Sequence, residues 1–335
     1  STPTPEPSRP PLAGDLTGGV PVRLGGEGHW TIAGSRVFVG TDDGLVEARD
    51  LATGEVVWQA GFRDTGDAWD NPPTVATSPQ GAVLGLRTVT EDGVHRLQLL
   101  TLDPDTGNTV DDRLLADPRG LWRVDLPPRI LSADADDLVV AENPEWGVQT
   151  AVVSLPDGAI AWRVDEQGLA ADAERVVTRT GARSRADGAR LWEPGFALGG
   201  VLGEARDSLV VVDGAEDAAW LDRATGAELS RAPLTGEDSS CAATDVVLTC
   251  LTAEGATGYD LDTGDRLWGR AGAWQAVTGY DRWAYLWTGA GKGDVVQASD
   301  GELAAAGADL VRIVYGNADG VLVDQDGTAW VPARR

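Results

Sequence analysis

Few residues in this chain have the type and spacing that catalysis or metal binding requires. Its two histidines, His29 and His95, do not form a His-Glu-x-x-His pattern, which would present two imidazoles to a zinc ion. No Gly-x-Ser-x-Gly sequence, which would expose a nucleophilic serine, is present. The 53 acidic residues include enough carboxylates for acid–base catalysis, but the sequence does not show which two converge. These patterns predict a protein that is not an enzyme and holds no metal.

Three short segments resemble ligand-binding loops without matching them. Residues 289–294, Gly-Ala-Gly-Lys-Gly-Asp, lack the spacing of a phosphate loop, and no helical pattern follows them. Residues 103–108 and 260–265 resemble the opening of a calcium loop, but the glycine comes one place early and no glutamate stands at the twelfth position. We therefore expect a hairpin loop at 289–294 and tight turns at the other two segments.

A repeated phrase runs through the chain and is clearest at residues 48–58, Ala-Arg-Asp-Leu-Ala-Thr-Gly-Glu-Val-Val-Trp. Its copies are marked by a turn glycine, at Gly54, Gly107, Gly158, Gly188, Gly226, Gly264, Gly301 and Gly327. A tryptophan follows four positions later at Trp58, Trp162, Trp192 and Trp268. Its place is taken by Asp111, Ser230 and Ala305 in three copies and shifted to Trp330 in the last. A recurring period of this kind is the signature of a repeat architecture.

Each copy contains short apolar runs of strand length, rich in β-branched and aromatic residues and bounded by Gly, Asp, Asn and Pro. No window has a convincing helical period. Each unit therefore reads as a four-stranded antiparallel meander, and such units bury their faces by stacking radially around an axis. The last unit lacks a fourth strand after Trp330, and we predict that residues 20–24 supply it and close the ring.

The pattern A-x-D-x-x-T-G-x-x-x-W resembles the repeat of the pyrroloquinoline-quinone (PQQ)-like β-propeller family, which includes quinoproteins and BamB-like proteins. The residues that carry the resemblance best are Asp50, Thr53, Gly54, Trp58, Asp260, Thr263, Gly264 and Trp268. The resemblance implies an all-β, eight-bladed propeller of four-stranded antiparallel blades, with seven blades as the alternative. It also implies that the repeat tryptophans, including Trp162 and Trp192, pack between blades.

The spacing of the two cysteines is informative about a quinone cofactor and about the cellular compartment. The resemblance implies that a quinoprotein dehydrogenase would hold its quinone with adjacent cysteines and a calcium ion, whereas Cys241 and Cys250 lie nine positions apart. We therefore expect no cofactor. A hairpin centred on residues 244–246 would place the cysteines opposite each other, within the ~4.4–6.8 Å between Cα atoms that a disulfide needs. A disulfide fits an oxidising compartment, and two free buried thiols are the alternative.

The charge balance restricts the partners. The formal net charge is −26, from 27 Lys and Arg against 53 Asp and Glu. This argues against binding to nucleic acid or to an anionic membrane surface. It favours a plain solvated acidic surface and is compatible with a basic partner. Lys292 is the single lysine in an Arg-, Ala- and Gly-rich chain, a composition that suggests an actinobacterial genome.

Residues 1–17 are polar and rich in proline, which is typical of an extended linker or tail. The sequence has no methionine, so we expect a processed or truncated chain. In that interpretation residues 1–17 connect a membrane anchor, such as that of a lipoprotein, to a single exported propeller at residues 18–335. An ordinary disordered tail is the alternative.

The first two repeat intervals are about fifteen residues longer than the regular ones. The extra length falls at residues 61–73 and 117–128, between blades, and at 88–95 and 142–147, between second and third strands. Both kinds of connection leave a blade on the same side, where loops on a rigid scaffold bind partners. We predict a binding patch there, formed by Trp69, Asp70, Asn71, His95, Trp122, Arg123 and Trp146. Tryptophans that fold back over their own blades are the alternative.

The sequence thus favours a non-catalytic, extracytoplasmic binding or scaffold propeller, monomeric, secreted or anchored at the cell surface, with a protein or small-ligand partner. Two alternatives remain at this point. One is the sensor ectodomain of a membrane protein such as a kinase, and the other is a PQQ-dependent dehydrogenase or a carbohydrate-acting enzyme.

Overall fold

The computed structural model describes residues 10, 20–21, 30–51, 53–64, 67–68, 72–115, 128–141, 149–213, 217–234, 241–252, 254–289, 291–310, 313–316, 322–324 and 328–330. All regular elements among them are β-strands. The chain divides into two compact units, residues 20–193 and residues 194–335 together with 1–19. We number the strands β1–β33 and call the successive sheets blades 1–8, in chain order.

The unit of residues 20–193 begins with β1, Val20–Pro21, and contains four blades of antiparallel strands. Blade 1 consists of β2 Trp30–Ala33, β3 Arg36–Gly40, β4 Leu45–Asp50 and β5 Val56–Gly61. Blade 2 consists of β6 Asp67–Ala68, β7 Thr74–Thr77, β8 Val83–Glu91, β9 Val94–Leu102 and β10 Thr109–Leu114. Blade 3 consists of β11 Arg129–Ala133, β12 Asp137–Ala141, β13 Thr150–Ser154 and β14 Ile160–Val164. Blade 4 consists of β15 Gly168–Ala171, β16 Arg175–Thr178, β17 Gly181–Ser184 and β18 Arg190–Trp192.

The unit that includes residues 194–335 continues the same order. Blade 5 consists of β19 Leu198–Glu204, β20 Ser208–Asp213, β21 Asp217–Asp222 and β22 Glu228–Pro233. Blade 6 consists of β23 Cys241–Ala243, β24 Val247–Thr252, β25 Gly255–Asp260 and β26 Arg266–Ala271. Blade 7 consists of β27 Ala276–Tyr280, β28 Trp283–Gly289, β29 Lys292–Gln297 and β30 Leu303–Asp309. Blade 8 contains β31 Ile313–Gly316, β32 Leu322–Asp324 and β33 Thr328–Trp330.

Blades 1 and 3–7 have four strands each and blade 2 has five, which confirms the predicted all-β fold of four-stranded antiparallel sheets. The fifth strand is β6, which sequence reasoning placed in a connection. That residues 20–24 close the last blade, and that residues 18–335 form one domain, stay predictions.

The repeat phrase forms a tight turn between the third and fourth strands. In blade 1, Thr53 donates to Asp50 Oδ1 from its backbone N–H (2.9 Å) and from its hydroxyl (3.3 Å), and Gly54 has a φ of 74°. Only glycine adopts this left-handed conformation without steric cost. The same bonds join Asp103 to Thr106, at 2.8 Å each. The segments that resemble calcium loops are therefore turns whose carboxylates accept from the backbone.

The fourth strand of every blade from 1 to 7 carries a β-bulge at the same place. The pairing with the third strand shifts there by one residue, as between Ala48↔Trp58 and Arg49↔Val56. The bulged residues are apolar and exposed, namely Val57, Val110, Ala161, Leu191, Leu229, Leu267 and Ala304. A bulge re-aims the next side chain and hinders regular pairing at an edge strand. The apolar residue that precedes the tryptophan position is therefore the unpaired residue of the bulge, and its exposure follows from the backbone geometry.

Three of the re-aimed tryptophans, Trp58, Trp162 and Trp268, pack onto the turn of the following blade. Trp58 Nε1 donates to the carbonyl of Pro104 (3.0 Å), and a Cβ on Gly107 would lie 2.6 Å from its ring. Trp268 in blade 6 donates to Ala298 (2.6 Å) and covers Gly301 in blade 7 in the same way. The turn position therefore requires glycine for two reasons. The backbone there is left-handed, and a side chain would collide with the indole that lies on the turn.

Blade 2, which has Asp111 at the tryptophan position, uses an arginine instead. Arg113 bonds to the Asp111 carboxylate and donates from Nη1 to the carbonyl of Pro156 in the blade 3 turn (2.9 Å). Its Cδ lies 3.0 Å from a Cβ placed on Gly158, so its stem occupies the place of the indole. Long arginine stems can cover apolar surface while the charged head reaches a polar partner.

The predicted disulfide is confirmed. Cys241 and Cys250 face each other on β23 and β24, with their Cα atoms 4.1 Å apart, and no described cysteine is free. Of the segment that resembles a phosphate loop, residues 289 and 291–294 lie where β28 leads into β29, and Lys292 Nζ bonds to Asp309 on β30 (2.6 Å).

Candidate functional site

The longest hairpin described is in blade 2. Its strands β8 and β9 have nine residues each and stay paired up to Glu91↔Val94. Asp92 (φ 51°) and Gly93 (φ 75°) form the two-residue turn, and left-handed residues at both positions suit the twist of a hairpin. Sequence reasoning placed residues 88–95 between the second and third strands, with His95 in a long loop or hairpin, and the structure shows the hairpin, whose strands continue the ladder. We call residues 87–98 the blade 2 arm.

The connection that precedes blade 2 also contains strand structure. Asp67 pairs with Thr90 and Ala68 with Val89, so β6 lies along the arm. The inner strand β7 pairs with residues 83–86 on the same edge of β8. The arm therefore has its own third strand, and part of the expected 61–73 loop is a sheet edge.

A buried glutamine ties the arm to this connection. Gln98 has no exposed surface; it accepts from Arg87 Nε (2.9 Å) and donates to Arg63 O (2.9 Å) and to Asp112 Oδ1 (2.6 Å). The Arg87 guanidinium lies 4.5 Å from the centroid of the Phe62 ring. Burial lowers the pKa of Arg87, although Asp112 and Asp64 oppose this effect. The start of the connection, residues 62–64, is thus held against the arm by a satisfied polar network.

Of the predicted patch, the structure describes only His95. It lies on β9 opposite Thr90, whose hydroxyl is 3.1 Å from His95 Nδ1, and its side chain is half-buried. The other residues of the patch lie outside the described part of the chain, namely Trp69, Asp70, Asn71, Trp122, Arg123 and Trp146. The patch therefore stays a prediction.

The arm continues a hydrophobic core shared by blades 2 and 3. Blade 2 contributes Leu84, Leu86, Leu97, Leu99 and Leu115, and blade 3 contributes Leu138, Val140, Ala151 and Val153. The hydrogen bond from Thr74 Oγ1 to Pro128 O (2.6 Å) links the same end of both blades. This core fixes the base of the arm.

A second polar cluster lies in blade 4. Glu166 accepts from Thr178 (2.6 Å), Thr180 (2.7 Å) and Arg183 (2.6 Å) and is 3.4 Å from Arg190. Burial raises the pKa of Glu166, but the hydrogen bonds from Arg183, Thr178 and Thr180 outweigh burial and lower the pKa to about 2. The cluster joins the connection before β15 to the turn between β16 and β17, so these two kinds of connection share one side of the blade.

Sequence reasoning missed Gln98, Arg87 and Glu166. Gln98 and Arg87 could have been found from the sequence, because each is a polar residue within an apolar strand pattern and such residues need partners once they are buried.

The fold and the first repeats have known relatives. Residues 20–130 match the family model described as outer membrane protein assembly factor BamB. The crystal structure of BamB from Moraxella catarrhalis superposes with a TM-score of 0.62 at 16% identity, over 96% of this chain and 98% of that one. The fold is therefore that of a β-propeller, like the fold of this BamB protein. The computationally designed Ika8 protein is a second structural relative, with a TM-score of 0.58 at 15% identity over 91% and 96% of the two chains. No curated protein matches the sequence.

Two features of the described residues concern membranes and metals. No helix there is long and apolar enough to cross a membrane. Among the same residues, no three His, Cys, Asp or Glu side chains are grouped as metal ligands.

Proposed function

We propose that this chain is a non-catalytic, extracytoplasmic propeller that binds a protein partner at the blade 2 arm. The arm carries the proposal, because nine-residue strands, an added strand β6 and the Gln98 network extend one blade beyond the common plan. Loops and hairpins on a rigid scaffold are the usual place for binding residues. Val94 at its tip is apolar and 37% exposed, as a contact residue would be.

Two observations support the compartment. The Cys241–Cys250 disulfide fits an oxidising environment, since the cytosol keeps thiols reduced. The family model that matches residues 20–130 is described as an outer membrane assembly factor, a role outside the cytoplasm. We further propose a monomer, anchored through a segment before residues 1–17 or secreted.

The proposed contact surface includes His95 of the arm and the six other patch residues of the sequence prediction, which lie in other segments of the chain. Tryptophan and arginine are the residue types that dominate interface energetics, and the patch contains three of the former and one of the latter. If the three indoles of the patch are buried against their own blades, this part of the proposal is wrong.

Site-specific photocrosslinking in the native host tests the proposal. A photoreactive phenylalanine replaces Val94 at the arm, and the matched control replaces Val246, a valine that is 59% exposed in the blade 6 turn. We expect one defined protein adduct from position 94 and none from position 246. Equal adducts from both positions, or none from position 94, would contradict the binding site.

The quinoprotein alternative is tested separately by titrating the purified chain with PQQ and calcium. Stoichiometric uptake, followed by absorbance, would overturn the non-catalytic assignment whatever the crosslinking shows.

A further inference from the structure

The third strand of blade 2 extends beyond the fourth strand that covers it. In blades 1, 3, 5, 6 and 7 the first residue of the third strand pairs with the last residue of the fourth. In blade 2, β9 begins at Val94, whereas its pairing with β10 ends at Gln98 and is followed by one bond from Leu115 N to Leu97 O (2.8 Å). Within the described residues, the outer edge of the arm at residues 94–96 therefore carries no strand.

The peptide groups along this edge point outward at alternate residues. In an antiparallel pair, successive residues of a strand direct their N–H and C=O groups to opposite sides. Leu97 O accepts from Leu115 on the outer side, so the N–H and C=O of His95, two residues earlier, point to that side as well. Among the described residues, neither group of His95 has a partner there. They are the next groups that a strand on this edge would bond.

The uncovered edge is accessible and regular. Val94 is 37% exposed, and the side chain of Arg96 is 36% exposed. The β8–β9 ladder runs from Val83↔Leu102 to Glu91↔Val94 without a register shift. The outermost strands of blades 1–7 instead carry a bulge, which hinders regular pairing. The edge at residues 94–96 thus lacks the feature that protects the other edges from strand addition.

The opposite edge of the arm shows what kind of segment covers such a strand. There β6, which comes from the connection between blades 1 and 2, pairs antiparallel with Thr90 and Val89. The β8 side of the arm is therefore covered by a short extended segment. The β9 side offers the same row of backbone donors and acceptors, and an extended peptide that adds to a sheet edge binds through such a row.

We propose that the partner protein adds an extended segment to β9 at residues 94–96, as a further strand of the arm. Bonds to the His95 peptide group hold this segment, and its side chains alternate between the two faces of the arm. An apolar residue fits beside Val94, because cross-strand contacts with β-branched residues stabilise a sheet. The net charge of −26 disfavours an acidic segment. This inference rests on the proposed function and specifies how the partner binds.

Crosslinking from two positions on one face of β9 tests the inference. The photoreactive phenylalanine replaces Val94 in one variant and Arg96 in the other, in the full chain in its native host. Mass spectrometry then locates each attachment in the captured protein. Strand addition predicts two attachments in one segment, about two residues apart, because side chains on one face of a strand repeat every second residue. Attachments about three or four residues apart, as on a helix, or in separate segments would overturn the inference.

A second experiment separates the backbone of His95 from its side chain. His95→Pro and His95→Ala both remove the imidazole, but only proline removes the N–H, which points away from β8 where an edge strand tolerates proline. We expect the adduct from position 94 to be about tenfold weaker in His95→Pro than in His95→Ala, the equivalent of ~1.4 kcal/mol. Equal adducts in the two variants would contradict strand addition. If proline lowers the melting temperature, the spacing of the two attachments decides instead.

The outcomes distinguish this inference from the proposed function. An adduct from position 94 whose attachments do not follow strand spacing would keep the arm as the binding site and reject strand addition. The absence of any adduct from position 94 would reject both. An adduct with twice the mass of the chain would show that a second copy pairs along this edge, and it would overturn the assignment to a partner protein.

Discussion

Trp220 lies directly opposite Ser230 across the β21–β22 pair. Trp220 Nε1 donates to Asp260 O (3.1 Å), and its ring is 2.9 Å from a Cβ placed on Gly264. Blade 5 therefore places its indole on the third strand, with the small residue at the expected tryptophan position. In blade 1 the two residues are exchanged, with Ala48 opposite Trp58. The space above the turn glycine of the next blade is thus filled by an indole from either the third or the fourth strand.

This exchange predicts a compensating double substitution. Trp220→Ala should destabilise the protein by about 3–5 kcal/mol, because it removes a fully buried indole. Adding Ser230→Trp should restore most of the melting temperature by recreating the blade 1 arrangement, whereas Ser230→Ala alone should have little effect. A double variant that melts no higher than Trp220→Ala would show that the two positions do not share one slot.

The Gln98 network predicts local loosening at the arm. Gln98→Ala should cost about 1–3 kcal/mol and speed amide exchange at residues 62–64, since Asp112 and the Arg63 carbonyl lose their donor. Gln59→Ala is the matched control, because Gln59 is exposed and bonds to Glu47 (2.6 Å). Faster exchange in both variants would argue against a specific anchor.

The lowered pKa of Glu166 predicts that the stability of the protein depends on pH in the acid range. Its pKa is lowered from 4.5 to about 2 in the folded protein, so its stabilising contribution is present above pH 4.5 and is lost as the pH falls from 4.5 towards 2. The gap in melting temperature between wild type and Glu166→Gln should therefore be wide near neutral pH and close in this window. Glu193→Gln, at an exposed carboxylate bonded to Arg190, is the control and should show a smaller gap. A gap that does not change with pH would refute the assignment.

The disulfide predicts sensitivity to reductant. Reduction, or the change of Cys241 and Cys250 together to alanine, should cost about 2–3 kcal/mol, because the bond closes a short loop in the unfolded chain. Thermal melting with and without dithiothreitol measures this. Dithiothreitol should have no effect on the double variant, and an effect there would show that the loss has another cause.

Two glycines separate backbone strain from tryptophan packing. Gly301 (φ 71°) lies under Trp268, with a Cβ position 2.7 Å from the ring, whereas a Cβ on Gly81 (φ 87°) would meet nothing within 4 Å. Gly81→Ala should cost about 1–2 kcal/mol for the left-handed backbone alone. Gly301→Ala should lower the melting temperature clearly more, and equal losses would mean that the indole adjusts freely.

Much of the fold could be predicted from the sequence alone. Asp50, Thr53 and Gly54 determine their turn through bonds between near neighbours, so the pattern is readable without tertiary structure. The same holds for the strand alternation and for Cys241 opposite Cys250, whose register follows from a short hairpin.

Only the tertiary structure decided which residues form the interfaces between blades and which residues build the arm. Sequence spacing could not show that Trp220 replaces Ser230, that Arg113 replaces an indole, or that Asp67 pairs with Thr90. These relationships depend on which strands lie side by side, and packing between distant segments determines that, whereas local turns and periodicity do not.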